Sequence, residues 1–204
     1  MNFITREYFT NLISIGNASA TQDSQLLGNG FQIERLISIC ERDVLVKLFG
    51  FEMYSNFISD LQTDVKGVYQ VKDDTEQRWK DLLNGTTYEM DGMTYSFRGL
   101  RFSDPGLQGD YLQSLIAYYV YTIYVDTEEI KHTGLTFTKE QAKNAMVISG
   151  RSRHATAFNR FYRLALADDE TGERSLYQFL KDHEENYPEW IMTYEFTKQN
   201  RWGV

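Results

Sequence analysis

A chain of 204 residues that is 42% hydrophobic and 15% aromatic is long and apolar enough to bury one good core, which excludes a disordered protein. Its formal charge of −8 counts against broad adhesion to nucleic acid, because neutralising phosphates takes Lys and Arg. Cys40 is the only cysteine, which excludes an intrachain disulfide, and no basic segment followed by an apolar run opens the sequence, so the expectation is a protein without signal peptide or anchor, made in a reducing compartment.

Residues 2–13 carry apolar groups at Phe3, Ile4, Phe9, Leu12 and Ile13, and Thr5 is placed to cap a short helix beginning at Arg6. The stretch 16–30 is small and polar and reads as a loop or extended arm. In Phe31–Phe49 the residues Ile33, Leu36, Ile37, Cys40, Val44, Leu45 and Leu48 recur at helical spacing, and Gly50 suits the position just past the helix end. Cys40 then reads as a buried small hydrophobe. A second helix is expected over Phe51–Leu61, with Phe51, Tyr54, Phe57, Ile58 and Leu61 on one side. Residues 63–72 read as a loop. A third helix, Asp73–Leu83, has Trp79, Leu82 and Leu83 as apolar contacts and is ended by Asn84-Gly85.

Thr86–Arg98 reads as a β-hairpin, because Asp91-Gly92 supplies the two positive-φ residues of a type I′ turn. That register sets Met90 opposite Met93 and Tyr88 opposite Tyr95, and gathers these four and Phe97 on one face. A lone hairpin is marginal in water, so this one must lie on the body or pair with another subunit.

Leu112–Val125 is apolar or aromatic on nearly every face, which predicts a buried central helix. Ser103 or Asp104 can cap it, with Pro105 in the first turn. The run falls short of the roughly 20 residues needed to cross a bilayer. Glu128–Phe137 follows as a loop. Thr138 and Gln141 form a capping box for an Ala-rich helix that Gly150 can divide. Asp168–Gly172 reads as an acidic turn, and Glu173–Asn186 as a last helix stopped by Pro188. The aromatic tail Trp190–Val204 docks either on its own chain or on a partner.

The expected fold class is therefore mainly α, a helical bundle around a central aromatic helix with one β-hairpin insertion and extended N- and C-terminal arms. It is read as one domain over 1–204: an N-terminal segment and arm (1–30), a helical core with the hairpin 86–98 (31–167), and a C-terminal helix and tail (168–204).

Chemistry-bearing clusters are few. Glu128 and His132 could share a helix face near Asp126, but one carboxylate and one imidazole do not make a metal site. Asp168–Glu173 lacks the alternating spacing of a calcium loop. No nucleophile elbow, phosphate loop, dinucleotide fingerprint or zinc-protease motif occurs. No catalytic, cofactor or metal residue is assigned. Arg151, Arg153, Arg160 and Arg163 form the one basic concentration, suited to phosphate or to an acidic partner such as the Asp168–Asp169 turn of a neighbouring copy. The candidate interface residues are these six, the hairpin turn Asp91-Gly92, and the tail tryptophans Trp190 and Trp202.

The order of parts is similar to a known family. An amphipathic helix ends in Leu48-Phe49-Gly50 and leads into an aromatic helix, Phe51–Leu61. A Trp-bearing helix, Trp79–Leu83, precedes the aromatic run Tyr111–Val125. Thr133-Gly134-Leu135 then leads to the Ala-rich Lys139–Met146. Over roughly residues 31–165 this pattern resembles the head-to-tail connector (adaptor or ring) proteins of tailed phages, particularly small helical ones from phages of Bacteroidetes hosts, including the crAss-like group. The hairpin 86–98 and the tail after Asp168 lie outside the match. The resemblance implies a structural virion protein at the head–tail junction, made in the host cytoplasm, and not an enzyme. It implies a homo-oligomeric ring, typically a dodecamer, joined to the portal protein and to the tail or further ring proteins. DNA would pass through the channel without sequence-specific binding, and no cofactor or membrane would be involved. The rival expectation is a cytoplasmic helical enzyme or small-ligand-binding domain with a pocket lined by the tyrosines of 111–125. A DNA-binding regulator is a weaker rival, since the net charge opposes it.

Overall fold

The computed structural model describes residues 2–15, 29–105, 110–133, 150–167 and 172–197. Its helices are α1 (Asn29–Phe49), α2 (Phe51–Ser59), α3 (Gln77–Asn84), α4 (Leu115–Thr133), α5 (Gly150–Ala165) and α6 (Leu176–Asp182). Its strands are β1 (Leu61–Thr63), β2 (Tyr69–Val71), β3 (Thr86–Met90), β4 (Met93–Phe97), β5 (Arg101–Asp104), β6 (Tyr111–Ser114) and β7 (Glu173–Arg174). Among the described residues these strands form three sheets, ordered β1-β2, β3-β4-β7 and β5-β6. This corrects the expected fold class. The chain is mixed α and β, not a helical bundle with one hairpin.

The core is built on α4, which packs against both α1 and α5. Every residue from Leu115 to Thr122 is buried. A helix surrounded in this way has no polar face to spare, so its tyrosines must find partners inside. Tyr119 donates to Asp43 on α1 at 2.8 Å, and Tyr118 donates to Gln113 on β6 at 3.0 Å.

The central helix is shorter at its start than the sequence suggests. Leu112–Ser114 belongs to β6, paired antiparallel with β5, so that Arg101 faces Ser114 and Asp104 faces Tyr111. Ser103 and Asp104 are therefore strand residues and cap nothing. The cap is Ser114, whose hydroxyl accepts from the Ile116 N–H at 3.1 Å and donates to the Leu100 carbonyl at 2.6 Å. At the other end α4 continues to Thr133, through residues expected to be loop.

Three more corrections follow from short strands. Leu61 is not the last turn of α2 but the first residue of β1, opposite Val71. The expected loop 63–72 contains β2, and Asp64 shapes the turn by accepting from the N–H groups of Lys66 and Val68. Glu173–Arg174 lies parallel to β4 as β7, so α6 begins only after Ser175, whose hydroxyl accepts from the Gln178 N–H. Met53, not Phe51, is buried from α2, because Phe51 is 65% exposed.

Neither described end is a free arm. Phe3, Ile4, Phe9 and Ile13 are buried, and Thr5 caps the short 3₁₀ turn Arg6–Tyr8. The tail crosses the C-terminal end of α1 and satisfies its last carbonyls, which a helix leaves without internal partners. The Trp190 indole donates to Leu48 O at 2.9 Å, Ile191 N–H to Phe49 O at 3.1 Å, and Thr193 N–H to Lys47 O at 3.1 Å. Gly50 N–H takes Val46 O. Of the expected arm 16–30, Asn29 and Gly30 open α1, and the rest, with the Thr138–Gln141 capping box and the end of the tail, lies outside the described residues. No described helix is long and apolar enough to cross a membrane.

Candidate interaction surfaces

The hairpin adopts the expected register, Tyr88 opposite Tyr95 and Met90 opposite Met93. Asp91 and Gly92 supply the turn with φ of 53° and 74°. Its root is fastened to α6. Phe97 stacks on Phe179 at 4.3 Å, and Tyr88 donates to Asp182 at 2.7 Å. Asp182 is also met by Arg174 at 3.1 Å, and the Arg174 guanidinium lies 3.8 Å from the Tyr95 ring centroid. Burial and the Asp182 carboxylate hold the Tyr88 hydroxyl far above its ordinary range. The root is thus rigid, while Glu89, Asp91, Gly92, Met93 and Thr94 are exposed at the tip.

The basic residues separate. Arg160 is half-buried, with its guanidinium near the Tyr118 hydroxyl. Tyr118 donates to Gln113, which donates to Asp104. Asp104 in turn meets Arg98, which also pairs with Glu173. The chain of contacts joins α5, α4, β6, β5 and the hairpin sheet. Arg153 is exposed on α5, and Arg163 is exposed with a partner inside the chain. The Arg151 side chain, Asp168, Asp169 and Trp202 lie outside the described residues, as do the side chains of Glu128 and His132.

Trp190 is half-buried in its contact with α1. Next to it the surface is apolar. Ile191 is 65% exposed and sits against Gly50, beside the exposed Phe51, and Tyr194 is 49% exposed above Lys47. Sequence reading passed over this patch. Its signal is an aromatic placed immediately after a helix-ending glycine, where it falls off the buried face of either helix.

A cleft of about 250 Å³ opens beside the tail, lined by Lys47, Tyr119, His154 and Tyr194 among others. Lys47 is already held by Asp43 at 2.7 Å, and His154 lies 3.3 Å from Asp126. Burial and the Asp43 carboxylate push the Tyr119 hydroxyl up to about 12, away from use as a base. Burial pushes the Cys40 thiol up to about 11, which makes it unreactive. Among the described residues no group of three or more His, Cys, Asp or Glu could hold a metal ion.

A larger groove, about 550 Å³, lies between the N-terminal segment, α1 and the β1–β2 turn, with Arg6, Arg35 and Lys66 on its rim. Sequence reading missed these cations too. Arg35 has Phe31 and Ile39 four residues away, and neither can neutralise it.

No curated protein and no solved structure matches the chain. Residues 64–200 match the model of a family of unknown function, DUF6712, and because that span is well over half of the chain, the protein belongs to this family.

Proposed function

We propose that the chain is a structural subunit of a phage head-to-tail junction, a connector that assembles with further copies into a ring between portal and tail. The observation that carries this reading is the placement of exposed apolar side chains on separate peripheral elements. Met93 is 56% exposed at the hairpin tip, Leu12 and Leu112 stand together at 55% and 37%, and Phe51 and Ile191 form the patch at the end of α1. A subunit with two ring neighbours and partners above and below needs several contact faces, whereas an enzyme concentrates its apolar surface in one pocket. The resemblance of the sequence over roughly 31–165 to connector proteins supports the same reading. The role is structural, without cofactor, and DNA passes the acidic subunits without sequence-specific contact.

Mass measurement of the full chain across a concentration series, with electron microscopy of the largest species, tests the proposal. Closed rings are the expected result. A chain that stays monomeric at the highest concentration, and is missing from the junction of purified virions, would overturn it. Arg151→Glu with Arg153→Glu should weaken assembly, and Asp168→Lys with Asp169→Lys should recover part of the loss. Strong, salt-sensitive retention of duplex DNA by the parent, with assembly unchanged in the Glu variant, would instead assign the basic cluster to DNA.

A further inference from the structure

The rim of the large groove gathers three cations of an acidic chain. With 29 acidic and 21 basic residues, carboxylates are in excess. Lys47, Arg78, Arg98 and Arg174 each have a carboxylate within ion-pair distance. Among the described residues Arg6, Arg35 and Lys66 have none, although all three line one groove. Glu7 and Glu34 line it as well, but each is the chain neighbour of one of the arginines, and adjacent residues in a helical turn point apart.

The groove is also built to keep its shape. Asn2 donates its N–H to Gly67 O at 3.1 Å, Tyr69 N–H donates to Asn2 O at 2.9 Å, and the Ser38 hydroxyl donates to Asn2 Oδ1 at 3.0 Å. Ile4 and Ile37 form an apolar floor. A fixed, electropositive groove costs little ordering when an anionic segment enters it.

The hairpin tip has the opposite character. Glu89 and Asp91 are exposed and form no ion pair among the described residues, and Met93 beside them is 56% exposed. A Cβ added at Gly92 would meet nothing within 4 Å, so the space around the turn is open. Two paired strands are narrow, about 5 Å between their axes.

We propose that the groove receives the β3–β4 tip of a second copy of this chain, with Glu89 and Asp91 set against Arg6, Arg35 and Lys66 and Met93 lying toward the floor. The inference rests on the ring reading above and specifies its subunit contact. Tip and groove are different surfaces of the molecule, so the contact is heterologous. A heterologous contact repeated by a closing rotation generates a ring, whereas a self-complementary one stops at a dimer.

Disulfide trapping between full-length copies tests this. Met93→Cys on one copy and Ser38→Cys on another, distinguished by a tag, are mixed at low salt and oxidised. Cys40 is buried and common to every sample. Should Ser38→Cys perturb the fold by circular dichroism, Glu34→Cys replaces it on the same wall. The expected product is a tip-to-groove cross-link well above that from Met93→Cys paired with Asn56→Cys, which is exposed on α2. Glu89→Lys with Asp91→Lys in the tip copy should bring the yield down to that control, and Arg35→Glu with Lys66→Glu in the groove copy should restore it. A cross-link no stronger than the control, or one indifferent to both charge reversals, overturns the contact. If copies still associate by mass in that case, the ring reading stands and only this contact falls. If neither association nor cross-link occurs, both fall. Salt-sensitive retention of duplex DNA that Arg35→Glu with Lys66→Glu abolishes, with no cross-link, assigns the groove to phosphate and overturns the proposal.

Discussion

Glu41 Oε1 accepts the Ile4 backbone N–H at 2.8 Å, which ties the N-terminal segment to the middle of α1. The same carboxyl receives the Phe3 N–H, at 2.9 Å on Oε1 and 3.1 Å on Oε2. Glu41 is 4% exposed. Burial pushes its carboxyl up to about 8 from an ordinary 4.5, with the two backbone N–H donors pulling the other way. A carboxyl raised on folding stabilises the fold fully below its unfolded value, and this contribution is lost as pH rises through the folded value. Stability should therefore fall between pH 4.5 and about 8, by at most about 1.4 kcal/mol per pH unit. The tyrosines facing Glu41 from other elements, Tyr8, Tyr54 and Tyr69, are raised by burial and do not titrate in that window. Glu41→Gln keeps an acceptor for both N–H groups and removes the titration. Its melting temperature relative to the parent should rise with pH across the window, and a difference that stays flat would refute the assignment. Glu41→Ala should cost about 1–3 kcal/mol for each abandoned donor at low pH, and less as pH rises through the window.

Ser114 is fully buried and serves as both donor and acceptor at the start of α4. Ser114→Ala leaves the Ile116 N–H and the Leu100 carbonyl without it, and should cost about 2 kcal/mol. Ser103, exposed on β5, should tolerate Ala within about 0.5 kcal/mol. Urea titration of the two variants distinguishes this helix start from one capped at Ser103, which would reverse the order.

Gly85 and Gly99 approach each other back to back. Both have positive φ, 85° and 86°. A Cβ on Gly99 would lie 2.5 Å from Gly85 N and 2.6 Å from Asn84 C, while one on Gly85 would strike the backbone of Phe97 and Arg98. Backbone cannot swing aside as a flexible side chain can. Gly99→Ala should therefore destabilise by about 3 kcal/mol from strain and crowding together. Gly67→Ala, with positive φ but open space around it, should cost only the conformational part, about 1 kcal/mol. Equal losses in thermal unfolding would show that space at Gly99 is not the issue.

What could be read from the sequence was set by neighbours in the chain. The α1 stripe with Gly50 behind it, the Asp91-Gly92 register, the Thr5 cap and the Gly85 stop each depend on spacing within a few residues. The strands β1, β2, β5 and β7 escaped because two to four residues carry no period to detect, and their partners are chosen by tertiary contact. Leu112–Ser114 was absorbed into the helix because its apolar and polar residues continue a run that suits either state. Glu128 and its neighbours read as a loop because charge marks exposure, and exposure does not end a helix. At the candidate surfaces, the clustering of Arg151–Arg163 was visible, but the turning of Arg160 toward Tyr118 was not, because Tyr118 reaches it from another helix.

The tail supplies the last prediction. Trp190, Ile191 and Thr193 bond to Leu48, Phe49 and Lys47, the carbonyls at the end of α1, and Phe196 packs on Phe161 at 5.1 Å between ring centres. Trp190→Phe preserves most of the apolar contact and removes the indole N–H, so it should cost about 1 kcal/mol. Phe196→Ala empties a site that is 6% exposed and should cost about 3 kcal/mol. If the tail is held as one strap, losing Phe196 lets Trp190 leave as well, and the double variant should cost less than the two separate losses added together. Additive losses would mean that the two anchors act independently. Losses near zero in the dilute chain, growing with protein concentration, would mean that the strap docks on a neighbouring copy instead of its own α1.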